Sequence, residues 1–263
     1  MKIAEALHEE LALDNELSKS AWPVPPRPIA PWWHTIVLIA FLVTESVLTG
    51  RESKAHGMGG SHIHRYLLGI VLEWVLAALA WWGIRMGHVP VRQLLGQKRK
   101  GWKEWARDFG IALLFWFMAT MVLAAIATIL RLLHLVPLQK AVFELAPQSA
   151  AEIALWLVLC VTAGMVEEFV FRGYLLQQFA SLPVVGVWAE SRIVMGAASS
   201  SLVFGLSHGY EGIGGMIAIT VYGALFCILC VRRGSLRAGM MAHTWQDSIA
   251  GIALALLKHL RVI

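Results

Sequence analysis

The sequence predicts an all-α fold: a polytopic transmembrane helix bundle of about seven to eight spanning helices. Of 263 residues, 58% are hydrophobic, only 15% are charged and twelve are tryptophan. The apolar residues come in long runs rather than the short periodic stripes of a soluble domain. Seven such runs lie near 34–49, 66–86, 108–133, 150–179, 192–208, 213–231 and 237–257.

The elements follow in order. In "KIAEALHEELALDNEL" (2–17), apolar positions at helical spacing run beside an acidic face and predict a short amphipathic helix. "WPVPPRPIAP" follows, and its prolines predict a stiff, extended linker. The acidic first thirty residues hold no apolar core run, so no cleavable signal is expected and the first spanning helix directs insertion. Most later runs meet the length of about 20 residues that a hydrocarbon core requires. The first and fifth are short, the fourth is long enough to project from the bilayer, and a longer run has room to hide an eighth span. The expected division is 1–31 amphipathic helix and linker, 32–149 N-terminal transmembrane helices, and 150–263 a second transmembrane core.

Basic residues set the expected orientation. The loop between Arg85 and Arg107 also carries Arg92, Lys98, Arg99, Lys100 and Lys103, the pattern of a cytoplasmic loop. With it inside, the N-terminus and the loops holding Arg192 and Arg232, Arg233 and Arg237 are inside too. Trp102 and Trp105 read as interfacial anchors. The net charge of +5 is thereby assigned to cytoplasmic loops, and no nucleic-acid partner is expected. The expected location is the bacterial inner membrane, as an integral multipass protein with a cytoplasmic N-terminus.

Three ionisable groups interrupt the fourth run in "GMVEEFVFRG" (164–173). Charge at membrane depth costs roughly 2.5–3.5 kcal/mol per group, so such residues face the bundle interior and mark function. Glu168 and Arg172, at i and i+4, share a face and can pair. Glu167 is rotated away and has no such partner, and a poorly solvated free carboxylate suits general-base work. "FGLSHGY" places Phe204 and His208 at i, i+4; "MMAHTWQDSIAG" does the same for His243 and Asp247. With Glu167 they form a set able to bind and activate a water, with or without a metal, since imidazoles and carboxylates are also zinc ligands.

"EEFVFR", "FGLSH" and "HTWQD" match, in order, the motifs E-E-x-x-x-R, F-x-x-x-H and H-x-x-x-N/D. Residues 150–257 thus resemble the CPBP intramembrane proteases, which include type II CAAX prenyl endopeptidases and bacteriocin-processing or self-immunity proteins. The resemblance implies Glu167 as general base and His208 and His243 as polarising groups. Asp247, where Asn is common, would stabilise the oxyanion or orient His243. Glu168, Arg172 and Phe204 would support the site. An ionised Asp opposes a developing oxyanion to which Asn would donate. A zinc ion on Glu167, His208 and His243 and a metal-free glutamate mechanism fit these residues equally. The implied partners are the bilayer and a membrane-associated or lipid-modified peptide, with prenylation open.

Depth poses a condition. At about 1.5 Å per residue, His243 lies ~9 Å beyond Arg237 and His208 ~24 Å beyond Arg192. The imidazoles meet only if residues 181–195 lie partly along or outside the interface, or if "RRGSLRAG" dips inward.

Other readings fit less well. There is no H-E-x-x-H for a site-2 zinc protease, no G-D pair for a presenilin type, and "GAASSS" lacks a rhomboid nucleophile context. A proton-coupled transporter using the buried Glu, His and Arg is the alternative, but neither a midplane broken helix nor inverted halves are seen. An inactive anchor leaves the polar set without purpose. "CILC" (Cys227, Cys230) and Cys160 read as packing. His56, His62 and His64 read as a solvated loop in preference to a metal site.

Overall fold

A computed structural model describes residues 27–55, 62–96, 101–135, 145–182 and 189–260. The amphipathic helix, His56 and Lys98 to Lys100 lie outside the described residues. Seven long helices coincide with the seven apolar runs: α1 Trp32–Ala55, α2 Ile63–Met86, α4 Trp102–Leu132, α5 Ala150–Glu167, α7 Ala189–Leu206, α8 Gly212–Arg233 and α9 Arg237–His259. Two short helices, α3 Val91–Leu95 and α6 Leu176–Ala180, complete the set. A π-helical stretch, Glu168–Leu175, joins α5 to α6 without a break. Among the described residues there is no strand, only an isolated antiparallel bridge from Gly96 to Ser235.

Five described segments are long and apolar enough to cross a membrane: Trp32–Arg51, Ile63–Met86, Trp102–Leu132, Ala150–Ala180 and Gly209–Arg233. This is fewer than the expected seven to eight, for two reasons. The apolar part of α7 is shorter, at Ser191–Leu206, and α9 carries His243, Gln246 and Asp247. Both carry polar side chains on the face turned inward, where Ser200, Ser201 and His243 are buried. The chain is nonetheless an all-helical membrane bundle. Trp33, Trp74, Leu114, Phe117 and Ile213 stand exposed on its outside, where lipid tails would cover them.

Local chemistry fixes the helix ends. Ser149 caps α5 by accepting from the Glu152 N–H at 3.2 Å, and Glu152 accepts from the backbone of His62 (3.0 Å) and Gln148 (2.8 Å). The pattern resembles a capping box, except that Glu152 reaches the N–H one residue before the cap, and it also ties the start of α2 to the start of α5. The two helices therefore run parallel. His62 is buried, with Nε2 2.8 Å from the Gln148 amide, while His64 is exposed. The solvated-loop expectation is thus wrong for His62, which is committed to a polar clamp. Gly234 ends α8 in the left-handed region (φ 58°), with its N–H on Cys230 O. Cys160, Cys227 and Cys230 are free and buried, as packing residues should be.

Two sets of contacts bring the histidines toward a common level. Gly196 of α7 lies against Leu176 and Ala180, with no room for a side chain, and Arg192 Nε donates to Ala180 O at 2.9 Å. The first two turns of α7 therefore overhang the end of α6. At the other approach, Ser235 and Leu236 are buried. Leu236 sits beside Gly173, and its N–H reaches Leu95 O at 3.4 Å. The turn from α8 to α9 thus lies deeper than the end of α6. Arg233 and Arg237 flank it, and both pair with buried Asp108 of α4.

Candidate functional site

Arg172 organises the interior. It is fully buried, and its Nη1 lies 2.9 Å from Glu168 Oε1, the pair expected from their spacing. Its Nη2 donates to Gly223 O at 3.2 Å. The guanidinium stacks 4.5 Å from the Phe204 ring and 5.0 Å from that of Phe226. A buried cation needs this much compensation: a carboxylate, a carbonyl and aromatic faces. The π-helical stretch begins at Glu168 itself, a type of helix defect common at functional positions.

His243 reads both glutamates. Its Nδ1 lies 3.1 Å from Glu168 Oε1, and its Nε2 lies 3.5 Å from Glu167 Oε2 and 3.6 Å from Asp247 Oδ2. The two contacts at Nε2 are longer than hydrogen bonds. The adjacent glutamates differ in access. Glu168 and Arg172 keep 1% of their side chains exposed, Glu167 keeps 14% and Asp247 33%. Glu167 Oε2 is buried without a hydrogen-bond partner. One carboxylate is sealed in a pair and the other is uncommitted.

His208 approaches from α7. It is twelve residues beyond Gly196, and Glu168 is twelve before Ala180, so each stands about 18 Å from the level at which those helices touch. The His208 ring is 4.9 Å from that of Phe204, which in turn is 6.1 Å from that of His243. Phe204 O lies 2.9 Å from His208 Nδ1. A carbonyl only accepts, so Nδ1 carries the proton and Nε2 of the neutral ring presents a lone pair. Glu167, Glu168, Arg172, Phe204, His208, His243 and Asp247 therefore occupy one region of the bundle.

Sequence reasoning missed part of this region. Glu73 of α2 lies in the field of Glu167, Glu45, His243 and Asp247, and its Oε2 is buried without a partner. Tyr210, Glu211 and Tyr222 also lie in the field of Asp247. The signal was available for Glu45 and Glu73, since each is an ionisable group inside an apolar run. The tyrosines gave none, because an aromatic residue in such a run is ordinary.

The metal alternative meets a geometric test. Among the described residues, no group of three or more His, Cys, Asp or Glu converges to hold a metal ion. The conditional set of Glu167, His208 and His243 does not form such a cage.

Residues 149–249 match a protein family described as type II CAAX prenyl endopeptidase Rce1-like. Nothing among curated proteins or solved structures matches the chain. The matched segment runs from the cap of α5 into α9, less than half of the chain, and supports a likeness to the CPBP/CAAX intramembrane proteases.

Proposed function

We propose that the protein is an intramembrane endopeptidase in which Glu167 activates a water to cleave a membrane-associated peptide. The observation that carries this reading is His243 Nε2 standing between Glu167 Oε2 at 3.5 Å and Asp247 Oδ2 at 3.6 Å, while Nδ1 is held by Glu168. Those gaps suit a small polar molecule shared by the three groups. The match of the surrounding segment to a CAAX endopeptidase family supports the same chemistry.

Each residue has a task. Glu167 takes the water proton as the oxygen adds to the scissile carbonyl, then passes it to the departing amine. His208 accepts from the same water through Nε2. His243 positions the water, oriented by the Glu168 and Arg172 pair. Asp247 holds the His243 Nε2 side. Phe204 separates the imidazoles and covers Arg172.

The substrate class we favour has a hydrophobic or lipid-modified tail. An apolar groove of about 350 Å³, lined by Trp74, Trp81, Met165, Phe169 and Met240, borders the Glu167 segment. It suits an extended apolar chain lying along the bundle. The site would open toward the cytoplasm and laterally to lipid, with the N-terminus inside.

The test is cleavage of a membrane peptide library by purified wild type beside Glu167→Ala. Turnover by the wild type and none by the variant is expected; equal turnover removes Glu167 as base. A chelator titration in the same assay decides whether a metal takes part.

A further inference from the structure

We propose that Tyr222 is a catalytic hydrogen-bond donor whose phenolic O–H stabilises the oxyanion formed on the scissile carbonyl. The proposal rests on the endopeptidase reading and adds a residue that lies outside the three motifs.

Tyr222 is 6% exposed, yet its hydroxyl has no hydrogen-bond partner. A buried unpaired hydroxyl is unfavourable, and Phe would fill the same space without the loss. The ring stands edge-on to His243 with centroids 6.2 Å apart, and packs at 4.6 Å on Phe226, which also borders Arg172. Its hydroxyl lies in the field of Asp247, Glu168, Arg172 and Glu167.

The other donors of the site are committed or poorly suited. His208 Nδ1 is on Phe204 O, and His243 Nδ1 is on Glu168. Arg172 Nη1 faces Glu168 and Nη2 is on Gly223 O, and although Nε has no hydrogen-bond partner, the whole guanidinium is fully buried against the rings of Phe204 and Phe226, closed to a substrate carbonyl. His243 Nε2 faces two carboxylates. Ionised carboxylates only accept, so Glu167 and Asp247 oppose the charge that develops. A neutral donor fixed at the edge of this acidic pocket supplies what Asp247 does not.

In the step, the water oxygen bonds to the carbonyl carbon, Glu167 takes the proton, and the C=O π pair moves onto oxygen. Tyr222 donates a hydrogen bond to that oxygen and keeps its proton. Collapse re-forms the C=O, breaks the C–N bond, and the Glu167 proton leaves on the amine.

The experiment uses the full chain in lipid nanodiscs with quenched-fluorescent peptides carrying a hydrophobic C-terminal tail. Tyr222→Phe should lower kcat by about 10²- to 10³-fold, the usual effect of removing one oxyanion donor. KM and Tm should hold, or Tm should rise. A peptidyl aldehyde, which presents the tetrahedral oxygen, should bind more weakly by a similar factor, while the uncleaved amide binds equally. Unchanged kcat would overturn the proposal while leaving Glu167 in place, as would a loss confined to KM or accompanied by a lower Tm. No turnover by the wild type would remove the endopeptidase reading and this proposal together.

Discussion

His243 Nδ1 stands 3.1 Å from Glu168 Oε1, so α9 docks onto a carboxylate that Arg172 already neutralises. The two adjacent glutamates thereby acquire different work. Glu168 holds the architecture together, and Glu167 is left available.

That division predicts opposite effects of matched substitutions. Glu168→Gln leaves the fully buried Arg172 without its counter-charge, and breaking such a pair costs about 3–5 kcal/mol. Glu167→Gln removes a carboxylate that pairs with no arginine and should melt close to wild type while losing turnover. Thermal melts of both variants in the same detergent check this. Equal destabilisation would erase the distinction.

Gly239 is the contact that lets α9 approach. A Cβ there would lie 2.9 Å from Glu168 Oε2. Gly239→Ala should destabilise the protein by about 1–3 kcal/mol as the helix or carboxylate shifts. It should also lower kcat, because His243 moves with the helix. Parallel melting and turnover measurements test it, and a variant normal in both would show that the contact relaxes freely.

Asp247 does not need its charge to hold His243, because Glu168 already fixes the ring through Nδ1. Asp247→Asn should therefore keep or raise kcat, since the amide can donate where the carboxylate repels. Asp247→Ala should lower it. A tenfold loss in the Asn variant, about 1.4 kcal/mol, would mean that the charge itself is required.

The clamp at the far end should respond to acid. Burial pushes the His62 pKa below its ordinary value, against the opposing pull of Glu152. The Gln148 amide faces its Nε2 at 2.8 Å, an arrangement that favours the neutral ring. The folded protein thus binds fewer protons here than the unfolded chain, which titrates at about 6.5. The clamp is fully effective above that pH and is lost as pH falls through the lower folded value. The Tm difference between wild type and His62→Gln should be larger at pH 7.5 than at pH 5.5; a constant difference would count against the clamp.

The sequence made the seven helices legible because lipid demands long apolar runs, and those runs became Trp32–Ala55 through Arg237–His259. The Glu168 and Arg172 pair was legible from spacing alone. The overhang of α7 was not, because it depends on how closely Gly196 meets Ala180, and a small residue does not name its neighbour. Nor was the division of labour at His243, since Glu167 and Glu168 both reach one imidazole across a helix that enters a π turn between them. Glu45 and Glu73 were readable as intramembrane charges but lay outside every motif.

Glu73 belongs to α2, well upstream of the matched segment, yet its carboxyl shares the electrostatic field of Glu167 and Asp247. Gly69 of α2 also lies against Leu159 of α5, so the motif-bearing segment is walled by an upstream helix. Cut free of its first helices, it would lose that wall and leave Glu167 and Asp247 facing acyl chains. Swapping domains among such proteins should succeed only when the upstream helices travel with the motifs.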